Sequence, residues 1–128
     1  MAADDQPTCG KGLAANADLP DLLSKLLSVR AEVLERHTKA LDLSDPNAQK
    51  ELDAYTSLAR THRGVASELS GLARRMAGYR DLPMARHDMQ VMAVREGQAA
   101  AYRQFVATER ELLDLLQTKL QAEEAHTR

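Results

Sequence analysis

The chain has 128 residues, a formal net charge of −2, and 44% hydrophobic against 28% charged residues. That is the size of one domain with enough apolar material for a core, which excludes global disorder. Without a basic excess no nucleic-acid partner is expected.

Residues 1–17 lack a helical period and contain Pro7, Gly10 and Gly12. They read as a flexible N-terminal tail with a short helical end over 13–17. A single bundle domain is expected over 18–126. Its first helix starts at Asp18-Leu19-Pro20, with Asp18 as cap and proline tolerated in the first turn. Leu19, Leu22, Leu23, Leu26, Leu27, Val33, Leu34 and Leu41 follow on a helical period, which takes the helix to about residue 43.

Asp45 caps the second helix and Pro46 opens it. That helix is expected over about 45–77. Tyr55, His62, Leu69 and Met76 form one seven-residue line, and Leu58, Val65, Leu72 and Tyr79 form another. Leu52, Ala59, Ala66 and Ala73 form a third, and together they make one broad apolar face. Gly78 stands where a left-handed terminator belongs.

Asp81-Leu82-Pro83 repeats the earlier start signal, so the third helix is expected over about 82–124. Its main apolar line is Ala85, Met92, Ala99, Val106, Leu113 and Leu120, and Gly97 is a candidate for a bend. Short connections make neighbours antiparallel. The fold class is therefore all-α, an antiparallel up-down-up bundle of three long helices. The third overhangs the others and leaves Leu112, Leu113, Leu116 and Leu120 partly uncovered, which favours self-association.

Aromatic residues make up 3% of the chain, so the core is built from Leu, Ala, Met and Val, a palette that suits helices. The lone Cys9 excludes an internal disulfide and a cysteine zinc site. It stands in Thr-Cys-Gly-Lys-Gly and is a candidate reactive thiol on a dispensable tail. No secretory signal or apolar run of membrane-spanning length is seen, so a cytoplasmic protein without membrane contact is expected.

Arg30, His62, Tyr102 and Glu109 fall at similar heights on the apolar sides of their helices. They form a candidate buried polar layer, read as a device that fixes helix register. Glu-x-x-His occurs only at Glu123 and His126, near the C-terminus, so no metal and no cofactor is expected. His37 and His62 lack the lysine and small residue one turn later that a phosphotransfer bundle presents. Arg74, Arg75, Arg80, Arg86 and His87 cluster at the second turn, a candidate anion site that Asp81 and Asp88 offset.

Gly64 and Gly71, with Ser57 ahead of them, recur every seven residues inside a helix, where each glycine costs roughly 1 kcal/mol relative to alanine. They lie on the flank of the apolar seam, as a candidate helix-contact face. These features favour a non-enzymatic interaction protein that pairs with itself, most simply as a dimer, or docks on a protein partner. The alternative is a module that binds an anion or small molecule at the Arg-rich turn or around His62.

Overall fold

The computed structural model describes residues 14–79 and 87–127. The fold is all-α, with three helices among the described residues: α1 (Asp18–Lys39), α2 (Pro46–Gly78) and α3 (His87–Thr127). No strand occurs among the described residues. At 1.5 Å per residue the helices span roughly 33, 50 and 62 Å. None is long and apolar enough to cross a membrane.

The start of α2 forms as its local chemistry dictates. Asp45 is extended, and its carboxylate accepts the Asn47 amide at 3.0 Å, with Pro46 in the first turn. The start of α1 does not. Ala17, in a helical conformation, occupies the cap position and Asp18 makes no capping bond. The chain already enters helically: the Ala17, Leu19 and Asp21 amides reach the carbonyls of Ala14, Asn16 and Ala17 at 3.2–3.4 Å. The first-turn donors are thus satisfied by backbone, and no carboxylate is needed.

α1 ends at Lys39, four residues before the expected 43. Asp42 explains the early stop. Its carboxylate accepts the Ser44 amide at 3.0 Å and the Ser44 hydroxyl at 2.7 Å, bonds that replace the helical ladder. Gly78 is likewise not left-handed, since no glycine described has positive φ. α2 closes instead on a tight 3.2 Å bond from the Tyr79 amide to the Met76 carbonyl. The expected start at Asp81-Leu82-Pro83 lies outside the described residues. α3 runs unbroken through Gly97.

The contacts fit antiparallel neighbours. Ascending α1, Ser24 meets Ala66, Glu35 meets Arg63, and His37 lies edge-on to Tyr55 at 4.6 Å between centroids. Descending α2, Met76 faces Gln98, Leu72 faces Gly97, and Leu58 shares a cluster with Leu112 and Leu115. α2 is the central element. It buries Leu58, His62, Val65, Leu69, Leu72 and Met76 along one seam. Small residues set the spacing: Ser24 and Ala31 on α1 oppose the Ala59, Ala66 and Ala73 row of α2, and Ala101 and Thr108 of α3 are also buried.

That spacing overturns the expected seam of α3. The line Met92, Ala99, Val106, Leu113 and Leu120 faces outward, and Val94, Ala101 and Thr108 are buried in its place. On α1, Leu19, Leu22, Leu26 and Val33 are also exposed, and Pro20, Ser24, Leu27, Ala31 and Leu34 are buried. Helices approach closest over their smallest residues, so the bulkier rows are turned away.

Candidate functional site

His62 is completely buried. Its Nδ1 lies 2.9 Å from the Leu58 carbonyl, which only accepts, so Nδ1 carries the proton. Nε2 then presents a lone pair into the core with no hydrogen-bond partner. Burial holds the imidazole below its ordinary pKa, helped by the nearby Arg30 charge and opposed by the Leu58 bond and Glu109. The ring is a neutral core group, unsuited to phosphoryl chemistry.

The structure brings Arg30 and Glu109 together as an ion pair between α1 and α3. Both side chains are half-buried. Tyr102 lies about two turns before Glu109 on α3, half-buried against the main cluster with Leu23 and Phe105. His62 feels the charges of Arg30 and Glu109, so these three lie near one another, whereas Tyr102 packs two turns away. Thr108, beside Glu109, is buried and donates to the Gln104 carbonyl at 2.8 Å. Threonine on an otherwise apolar row gives no sequence signal of this role.

Gly64 and Gly71 have open space where a Cβ would stand, and Ser57 is exposed. Among the described residues no helix packs on Gly64 or Gly71. The close glycine is Gly97, where an added Cβ would lie 3.2 Å from an Arg75 guanidinium nitrogen and 3.5 Å from Leu72. Arg75 thus lies across α3, and Arg74 is exposed with a 3.4 Å bond to Ser70. Arg80, Arg86 and the His87 side chain lie outside the described residues, as does Cys9.

Among the described residues no three His, Cys, Asp or Glu side chains converge as a metal site. A cleft of about 620 Å³ opens between the start of α2 and the end of α3, beside Asn47, Glu51, Tyr55, Leu115 and His126. An ion pair missed by sequence reasoning ties α1 to α2: Arg63 donates to both Glu35 oxygens at 2.6 and 2.7 Å. The Arg63 bonds hold the Glu35 carboxyl below its usual range. No local period links residues 28 positions apart, so only the fold reveals it.

The most distinctive surface is apolar. Leu19, Leu22, Leu26, Val29 and Val33 repeat at three and four residues along the outside of α1, each 39–62% exposed. Val106, Leu113, Leu116 and Leu120 line the outside of α3 at steps of seven, three and four, at 46–58%. On α1 this row adjoins the flank of Leu23 and Arg30. On α3 it adjoins that of Tyr102 and Glu109. The Arg30–Glu109 pair thus joins the two helices beside these rows.

The chain matches no protein-family model, no curated protein and no solved structure.

Proposed function

We propose that the protein is a non-enzymatic helical-bundle interaction protein of the cytoplasm, which works by pairing with itself or docking on a protein partner. The observation that carries this reading is the pair of exposed apolar rows on α1 and α3. Both keep a helical spacing, at steps of three and four on α1 and of seven, three and four on α3. Exposed patches of this extent on a small domain mark interaction surfaces. The buried, neutral His62 and the half-buried Arg30–Glu109 pair support a structural role for the polar layer.

Thermal unfolding over a hundredfold range of protein concentration tests the reading. Self-association raises the midpoint with concentration, because the paired state binds only folded chains. A flat midpoint with a monomeric mass by light scattering counts against self-association. A shift in the same assay with phosphates or common metabolites would favour the small-molecule alternative.

A further inference from the structure

We infer that the cleft between the end of α1 and the first half of α2 is a binding site for a small molecule carrying a phosphate monoester. By the helical period the cleft lies on the flank of α1 opposite Arg30, apart from the exposed apolar rows. Its occupancy is therefore independent of self-association.

The cleft has a volume of about 470 Å³, room for a phosphorylated metabolite. Three cations line it, Lys39, Arg60 and Arg63, against one carboxylate, Glu35. This local excess stands on a chain whose net charge is −2. The carboxylate is already engaged: Arg63 donates to its two oxygens through Nε and Nη2, at 2.7 and 2.6 Å. These bonds orient Arg63 and leave its Nη1 amino group for a ligand. Lys39 and Arg60 form no ion pair among the described residues. Lys39 stands in the last turn of α1, where the helix dipole favours a cation whatever its partner. Arg60 has no such reason. It lies inside α2, and the residues three and four positions away are Thr56, Ser57, Arg63 and Gly64. None is acidic, and Arg63 is a like charge one turn on, an unfavourable neighbour unless an anion lies between them. Nearby carboxylates, Glu32, Asp42 and Asp53, stand outside the lining and are engaged by Arg36, Ser44 and Gln49.

A phosphate monoester fits this donor set. Above about pH 6 it is a dianion, which matches the cations that Glu35 leaves unbalanced. Its terminal oxygens offer an acceptor each to the Nη1 group of Arg63, the Arg60 guanidinium and the Lys39 ammonium, all charge-assisted bonds. The Thr56 hydroxyl in the lining adds a further donor. A carboxylate ligand brings one oxygen fewer and a single charge. The rest of the volume leaves room for the organic part of the ester.

The test titrates the full chain with phenyl phosphate, above the second ionisation of the phosphate and at fixed ionic strength, and follows backbone amide shifts by NMR. Saturable shifts are expected within residues 35–39 and 56–63. Arg60→Gln should weaken binding about tenfold with helical circular dichroism unchanged. Arg110→Gln, the same charge change on the exposed side of α3, should leave the affinity as it was. Benzoate, a single charge on the same ring, should bind about tenfold more weakly than phenyl phosphate. The absence of saturable shifts overturns the site. Shifts centred on Arg74 and Arg75 overturn this cleft and move the anion to the second turn. Equal weakening by Arg60→Gln and Arg110→Gln reduces the effect to general charge attraction and overturns the site as well. Benzoate binding as tightly as phenyl phosphate overturns the phosphate assignment.

Discussion

His62 holds an unpaired Nε2 lone pair in the core, and burial keeps its folded pKa below the ordinary 6.5. The unfolded chain therefore takes up a proton that the folded chain resists. The stability this provides is present above about pH 6.5 and is lost as pH falls toward the folded value, at up to about 1.4 kcal/mol per pH unit. His62→Leu should flatten the slope between pH 7 and 5.5 in urea titrations; an unchanged slope would place the titration elsewhere. The glycines divide in the same way by surroundings. Gly64→Ala and Gly71→Ala should each stabilise by about 0.5–1 kcal/mol, because nothing obstructs the methyl and alanine is the better helix former. Gly97→Leu should destabilise by about 1–3 kcal/mol in the same melts, because its side chain meets Leu72. A seven-residue glycine period drew attention to Gly64 and Gly71. The glycine under a neighbouring helix is Gly97, which belongs to no period, and only the packing of α2 on α3 sets it apart.

Among the elements, α2 was the most legible. Its cap, its proline and its apolar seam are all local signals. Asp45→Ala should cost about 1 kcal/mol, read as a lower urea midpoint with unchanged slope. The ends of α1 were less legible, because the Asp18 carboxylate competes with backbone arriving from residues 14–17 and the Asp42 side chain diverts the chain early. α3 was legible as a helix but not in its orientation. It carries a bulky row through Val106 and Leu113 and a smaller one through Ala101 and Thr108. Periodicity reports that both rows exist. Which one turns inward is decided by fit against the alanines of α2, a property of two helices at once. The Arg30–Glu109 pair could be anticipated from helix lengths alone, since counting from the turns gives heights directly.

For the whole molecule, the packing is uneven. α1 and α2 lie against each other along most of α1, through a buried 2.7 Å Ser24–Ala66 bond and the Glu35–Arg63 pair. α3 rests mainly on α2, and its last turns extend past the end of α1. Local opening follows the density of buried contacts, so the three helices will not exchange their amide hydrogens alike. In dilute protein the stretch of α3 after Leu113 should exchange first and the middle of α2 last, as followed by mass spectrometry of deuterated peptides. Raising the concentration should slow exchange chiefly in α1 and α3, the helices whose outer rows a second copy would cover, and leave the centre of α2 near its original rate. Were two copies to pair, the loosely held α3 would be the helix that reports it: an unpaired chain would open there first and offer proteases a site that a paired chain would withhold.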